Sequence, residues 1–234
     1  MVIRPADLEA SLARLIGLAD TGPEPGMVVT RVVDAAKELF DVHGAGMLLV
    51  APDQALHQVA DTDAPGRALE KAQEQSGQGP CVDAYVLAGP VTTPDVLADP
   101  RYPELAALLA GTGVRAVLGV PVRLGGGPVG TLNVYRGDRY DWDDTERAAL
   151  EAYAGVIGDL LATSLARHRS DELAAQLRHA LDYRVPIERA IGYLMASRGL
   201  SSVEAFGQLR SAARNARRRV VDVADDVLAG KPPR

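Results

Sequence analysis

Cysteine is almost absent from this 234-residue chain, which contains only Cys81. A single cysteine excludes a framework of intramolecular disulfides and a cysteine-rich zinc or iron–sulfur site. No stretch approaches the roughly 18 uncharged apolar residues of a membrane span, so the sequence predicts none. The N-terminal segment also lacks the apolar core of a secretory signal, and we therefore expect a cytoplasmic protein.

Signatures of catalysis are missing as well. The four histidines are spread along the chain without metal-ligand spacing, and no phosphate loop, serine-nucleophile motif or HExxH motif occurs. The glycines at 125–127 lack the lysine of a phosphate loop and predict a hairpin turn instead. His43 and His57 lie beside predicted strands, where they would either hold a cofactor or be ordinary histidines that are exposed or satisfied by local hydrogen bonds. We expect a protein that is not an enzyme and has no cofactor.

Cys81 follows Gly79 and Pro80 at the start of a predicted helix. The unpaired amides of a helix start would lower the pKa of its thiol, which would make it a redox or ligand-contacting group. The alternative is a small, inert, buried side chain. An enzyme built on this thiol would lack a second cysteine to resolve a sulfenic acid.

Charge of opposite sign is concentrated in two parts of the chain. Residues 1–165 carry 12 basic and 23 acidic side chains, a net charge of −11, whereas residues 166–234 carry 13 basic and 8 acidic ones, a net charge of +5. This asymmetry indicates two modules, and the basic one is the candidate for a polyanionic partner. The alternative is a small helical domain with a solvated arginine face.

The first module alternates between helical and strand-like patterns. We predict helices at 7–20, 28–40, 64–76, 80–87 and 105–109, and strands at 45–51, 55–60, 91–93, 115–124 and 129–135. Gly and Pro at 125–128 connect the last two strands as a hairpin. Residues 8–165 are therefore predicted to be α+β, with an antiparallel sheet and helices packed against it.

A long proline-free segment connects the two modules. Between residues 143 and 184 apolar side chains recur at helical spacing, which predicts one long helix or two helices with a break near 168–170. A helix of that length cannot bury its apolar stripe in one small core, so we expect it to form a coiled coil with a second copy of the chain.

Residues 166–230 contain the helix start and stop signals of a small three-helix domain. Pro186 is placed where a helix can start, and Gly199 where it can end. Ser201 and Glu204 have the spacing of a capping box for the next helix, and the third helix follows at 220–228. Arg210, Arg214 and 217–219 form a cluster around the corner between the last two helices.

Arginine suits phosphate and base edges because its planar fork donates hydrogen bonds in pairs. Aromatic residues are scarce beyond residue 165, with only Tyr183, Tyr193 and Phe206. A broad stacking platform for single strands is therefore not expected, and recognition of a folded RNA hairpin fits better. A DNA-binding helix-turn-helix is a weaker alternative.

The C-terminal segment resembles the ANTAR domain over roughly residues 170–230. The resemblance rests on the run from Arg184 to Met195, on Ser201 and Ser202, and on Ala205-Phe206, Leu209-Arg210 and Ala213. It implies a three-helix module that follows a coiled-coil helix, binds RNA hairpin loops and prevents a transcription terminator from forming. Ile191 departs from the lysine that is usual in the family and removes a cation.

Residues 8–165 resemble a GAF domain of the type found beside ANTAR domains in actinobacteria. The matching segments are Gly79–Tyr85, Val91, Asp95–Tyr102, Val117–Val122 and Val129–Tyr135. GAF domains bind varied small molecules and some only dimerise, so the resemblance implies a signal-input domain with an unidentified ligand.

Together these features predict a dimeric antitermination regulator that holds a pair of RNA stem–loops. The residues expected to contact RNA are Arg189, Gly192, Arg198, Ser201, Ser202, Arg210, Arg214, Asn215, Arg217 and Arg218. The alternative is a small-molecule or redox sensor whose helical C-terminal domain binds a protein and not RNA.

Overall fold

The computed structural model describes residues 3–19, 25–51, 56–167, 172–216 and 218–231. The side chains of residues 18, 19, 25 and 164–184 and of Arg214 lie outside this description. No helix within the described ranges is long and apolar enough to cross a membrane.

The first domain is built on a five-stranded antiparallel sheet of order β2-β1-β5-β4-β3. The strands are β1 (Gly44–Val50), β2 (Leu56–Asp61), β3 (Val91–Thr93), β4 (Ala116–Leu124) and β5 (Gly127–Arg136). The three central strands are buried almost throughout, because helices cover both faces of the sheet. The prediction of an antiparallel α+β domain is confirmed.

One face of the sheet carries α1 (Pro5–Ala19), α2 (Pro25–Phe40) and α6 (Asp144–Arg167). The other face carries α3 (Ala64–Ser76), α4 (Pro80–Leu87) and α5 (Pro103–Leu109). Helix α4 lies so close to β4 that a Cβ at Gly119 would be 3.3 Å from the Cα of Cys81. Glycine at this position therefore sets the separation between α4 and the sheet.

The hairpin between β4 and β5 turns at Gly125 and Gly126, as the glycine run predicts. Their φ values are +57° and +86°. Both are positive, as in the two-residue turns that match the twist of antiparallel strands, and glycine adopts them without strain.

The second domain contains α7 (Glu172–Arg198), α8 (Ser202–Ala216) and α9 (Val220–Leu228). Small and apolar side chains fill its core: Ile187, Ala190, Leu194, Ala205, Phe206, Leu209, Ala212, Ala213, Val220, Val223, Ala224 and Val227. The three-helix arrangement agrees with the prediction, but the start of its first helix does not. Pro186 lies inside α7, so the prediction of a helix start there is wrong.

The connecting segment differs from one long exposed helix. Helix α6 packs against β4, α1 and α2, and it buries Leu150, Tyr153, Ile157 and Leu161 within the chain. The apolar stripe of α6 is therefore not available to a second copy. The predicted break near 168–170 lies outside the described residues.

The two domains touch through α4 and α8, and α7 also contacts α2, β1 and β5. The rings of Tyr85 on α4 and Phe206 on α8 have centroids 6.1 Å apart, and both side chains are buried. Aromatic pairs of this geometry contribute roughly 0.5–1.5 kcal/mol beyond the area they bury. The apolar cores of the two domains form one continuous cluster.

Candidate nucleic-acid interface

The exposed side of α7 carries two of the predicted RNA-contacting positions. Ile187, Ala190 and Leu194 point into the core of the second domain, which leaves Arg189 and Gly192 exposed. Arg189 forms no ion pair with any residue that the structure describes. Its guanidinium is therefore available to an anion.

Arg198, Ser201 and Ser202 lie together at the junction of α7 and α8. Arg198 is exposed, and its Nη1 donates to Oε1 of Gln208 at 3.0 Å. The predicted capping box is present: the Ser201 amide donates to Glu204 Oε2 at 2.8 Å, and the Glu204 amide donates to Ser201 Oγ at 3.2 Å. These hydrogen bonds lower the pKa of the Glu204 carboxyl. The junction is thus fixed by its own polar groups.

Arg210 lies on the side of α8 that faces the first domain. Its guanidinium is 5.9 Å from the ring of Phe206, and a Cβ at Gly77 would be 2.9 Å from its Nη1. Asn215 is exposed, and at about 100° per residue it is rotated well away from Arg210 around the helix. The structure therefore does not bring Arg210 and Asn215 to one surface.

Acidic side chains of α9 hold the arginines that follow α8. Arg218 Nη1 is 2.5 Å from Asp226 Oδ2, and its Nη2 donates to the carbonyl of Asp222 at 3.2 Å. Arg219 donates twice to Asp222, at 3.0 and 2.6 Å. These exposed pairs contribute little to stability, so an external phosphate group can compete for the guanidinium of Arg218. The side chain of Arg214 and all of Arg217 lie outside the described residues.

The sequence prediction missed a cavity at the C-terminal end of α7. Its volume is about 200 Å³ and its walls include Tyr193, Ser197 and Lys231. Tyr193 is 49% exposed and follows Arg189 by four residues on the same helix. An aromatic residue on the polar side of an amphipathic helix is the signal that could have identified this surface.

Cys81 is fully buried at the start of α4. Its backbone N–H donates to Gln73 Oε1 at 2.9 Å. Burial raises the pKa of its thiol, and the nearby Glu70 adds to the rise. This direction is opposite to the lowering expected at a helix start, because the loss of solvation outweighs the helix amides. The buried, inert alternative is the one that fits.

Glu70 is a buried acidic residue that the sequence prediction did not single out. Asn133 Nδ2 donates to its Oε1 at 2.5 Å, and Gln73 Nε2 donates to its Oε2 at 3.3 Å. Burial raises the pKa of Glu70 to about 8 against the opposing effect of these hydrogen bonds. The carboxyl is therefore largely protonated at neutral pH.

The two histidines beside the strands make local contacts. His57 Nδ1 lies 2.9 Å from Glu74 Oε1, and His43 Nδ1 accepts a hydrogen bond from the amide of Gly137 at 3.2 Å. Among the described residues, no group of three potential metal ligands is present. The interpretation that these histidines are satisfied by local contacts fits both positions.

Solved structures of low sequence identity share the fold of the first domain. The free methionine-R-sulfoxide reductase from Neisseria meningitidis has a TM-score of 0.56 and 18% identity, over 68% of this chain and 91% of that chain. The phycoerythrobilin-bound GAF domain of a cyanobacterial phytochrome has a TM-score of 0.56 and 14% identity, over 69% and 97%. The GAF domain of a phosphoenolpyruvate-protein phosphotransferase from Coxiella burnetii has a TM-score of 0.54 and 17% identity, over 70% and 96%. At these identities the likeness establishes the fold alone.

Family models assign both parts of the chain, whereas no curated protein matches it. The model of the GAF domain matches residues 24–161, and that of the ANTAR domain matches residues 175–228. The matched ranges correspond to the sheet domain and to the three-helix domain. The chain therefore belongs to the GAF family and joins its GAF domain to a C-terminal ANTAR domain, of the RNA-binding antiterminator family.

Proposed function

We propose that this chain is a transcription antitermination regulator that binds RNA hairpin loops as a dimer and receives its signal through the GAF domain. The observation that carries the proposal is the ANTAR match over residues 175–228. Favouring one RNA fold over another requires only a difference in binding free energy between the two folds, so the proposed function needs no catalysis.

The exposed cations of the second domain support an RNA ligand. Arg189 and Arg198 are exposed on α7, and Arg218 is exposed after α8. A guanidinium donates two parallel hydrogen bonds to a phosphate, and contacts of this kind supply most of the salt-dependent affinity for nucleic acids. In our proposal Arg189 binds a phosphate directly. Arg218 releases the carboxylate of Asp226 and binds a phosphate in its place. Gly192, Ser201, Ser202, Arg214, Asn215 and Arg217 complete the proposed site, and Arg210 joins it when α8 separates from the first domain.

Two copies of the chain would hold two hairpin loops at once. Because α6 buries its apolar stripe inside the chain, we assign the pairing to the first half of α7, where leucines recur at 173, 177 and 181. Their side chains lie outside the described residues. An apolar row at this spacing suits a helix that pairs with its own copy.

A GAF domain that binds an unidentified small molecule is the proposed signal input. The contact between α4 and α8 supports this role, because α4 lies directly on the sheet and touches the RNA-binding domain through Tyr85 and Phe206. A displacement of α4 by a ligand would therefore act on α8.

Electrophoretic mobility shifts with stem–loops from RNA that copurifies with the full chain test the proposal. We expect salt-dependent binding, which Arg189→Ala weakens severalfold while reducing the log–log salt slope by about the 0.7–0.9 of one phosphate contact. Arg139→Ala, the same change at an exposed position of the GAF domain, should leave both quantities unchanged. Light scattering on the same samples should give the mass of a dimer.

Two results would contradict the proposal. One is the absence of binding to every stem–loop at low ionic strength. The other is complete displacement of the RNA by an equal concentration of duplex DNA, which would favour a DNA-binding function.

A further inference from the structure

A cavity of about 200 Å³ lies between the C-terminal ends of α7 and α9. Its walls include Tyr193, Ser197 and Arg198 from α7, and Val227, Gly230 and Lys231 from the end of α9. We propose that this cavity receives one unstacked base of the RNA loop, with its ring against Tyr193. The inference rests on the proposed RNA-binding function and identifies a specific subsite within it.

The dimensions of the cavity restrict what can occupy it. Pockets for drug-sized ligands span roughly 300–1,000 Å³, so this volume suits a single planar ring system. Leu194 and Val227 are buried and form an apolar floor. Tyr193 is 49% exposed and lines the cavity, and aromatic rings are the groups on which unstacked bases stack.

The two helix ends at the cavity reduce its attraction for a phosphate, although the guanidinium of Arg198 also lines it. Helix α7 ends at Arg198 and α9 ends at Leu228, so the carbonyl ends of two helices converge there. These ends carry partial negative charge and disfavour an anion. Lys231, whose Nζ lies 2.7 Å from Asp226 Oδ1, already has an acidic partner. A neutral ring that both donates and accepts hydrogen bonds is compatible with this environment.

Polar groups at the rim can read the edge of the base. The Ser197 hydroxyl donates to the Tyr193 carbonyl at 2.7 Å, which leaves its oxygen free to accept from an exocyclic amino group. Arg198 uses one N–H for Gln208, and a guanidinium has five. The remaining donors can reach ring nitrogens and carbonyl oxygens, which are the acceptors that arginine recognises on purines.

The position of the cavity connects it to the phosphate-binding side of α7. Arg189, Tyr193 and Ser197 are spaced by four residues and form one stripe along the helix. Arg189 can therefore hold a phosphate of the loop while the adjacent base turns into the cavity. This arrangement makes the site selective for the structure of an RNA loop as well as for its negative charge.

Abasic substitution at each loop position of a copurified stem–loop, combined with variants of the full chain, tests the inference. With the unchanged protein, removal of the base at one loop position should lower the affinity tenfold or more, as expected for the loss of a stacked base. In Tyr193→Ala the same abasic RNA should bind about as well as the intact RNA. Tyr193→Phe retains the ring and should restore the penalty.

Met195→Ala is the matched control, because Met195 is 40% exposed on another side of the same helix. It should leave the abasic penalty intact. If Tyr193→Ala weakens intact and abasic RNAs equally, no base occupies the cavity and the inference is overturned, while the RNA-binding function stands. Failure of the unchanged chain to bind any stem–loop would overturn the proposed function and the inference with it.

Discussion

Glu70 illustrates how a single buried carboxyl can make the stability of the GAF domain depend on pH. Its pKa is about 8 in the folded protein against an ordinary value of 4.5. Burial is the main cause, and the charge of Asp61 adds to the rise. Between these two pH values the folded state holds a proton that the unfolded state has released. The free energy of unfolding therefore falls as pH rises, by up to about 1.4 kcal/mol per pH unit.

We expect Glu70→Gln to remove this dependence between pH 5.5 and 8, because the amide is neutral in both states. Urea unfolding followed by the fluorescence of Trp142, the only tryptophan in the chain, reports on the GAF domain. Cys81 stays protonated over this range because its thiol pKa is raised well above 9.0. Glu104→Gln at an exposed position of α5 is the control and should keep the slope. An unchanged slope in Glu70→Gln would show that Glu70 is ionised in the folded protein.

The sequence could not reveal the role of Glu70. In the pattern of residues 64–76 this glutamate looks like part of a solvated helix face. Its burial depends on Asn133, which lies 63 residues further along the chain. The same limit applies to Arg210, whose orientation toward Gly77 depends on how the two domains pack. Contacts of this kind are tertiary, and they have no signature in local spacing.

At the scale of helices and strands, features set by a few adjacent residues were predictable. The capping box of α8 follows from Ser201 and Glu204 alone, and its hydrogen bonds are present. The prediction of a helix start at Pro186 is wrong because a proline can remain inside a helix at the cost of one backbone hydrogen bond. Here the packing of Ile187, Ala190 and Leu194 in the core of the second domain keeps α7 continuous.

The capping box predicts a measurable change in the start of α8. Ser201→Ala removes the acceptor for the Glu204 amide and should destabilise the helix start by about 1 kcal/mol. Hydrogen–deuterium exchange of that segment should then be roughly fivefold faster. Ser211→Ala, the same substitution at an exposed mid-helix position of α8, should not accelerate exchange because alanine is the better helix former. Equal exchange in the wild type and Ser201→Ala would contradict the prediction.

At the scale of the whole chain, the acidic GAF domain lies against the basic ANTAR domain. Residues 1–165 carry a net charge of −11 and residues 166–234 carry +5. The negative electrostatic potential of residues 1–165 opposes the approach of RNA to any cation that faces the GAF domain. Arg210 is such a cation, because it lies over Phe206 and beside Gly77. Docking of α8 on the GAF domain and binding of RNA therefore compete for Arg210.

Loosening the α4–α8 contact should consequently strengthen RNA binding. Tyr85→Leu keeps an apolar side chain on α4 but removes the ring that packs on Phe206 at 6.1 Å. The loss of an aromatic pair, about 0.5–1.5 kcal/mol, corresponds to a gain of roughly two- to twelvefold in RNA affinity in mobility shifts. Phe40→Leu breaks a comparable pair with Tyr153, at 6.2 Å, inside the GAF domain and should leave the affinity unchanged. An affinity that stays constant or falls in Tyr85→Leu would show that docking of α8 on α4 does not restrain the RNA-binding surface.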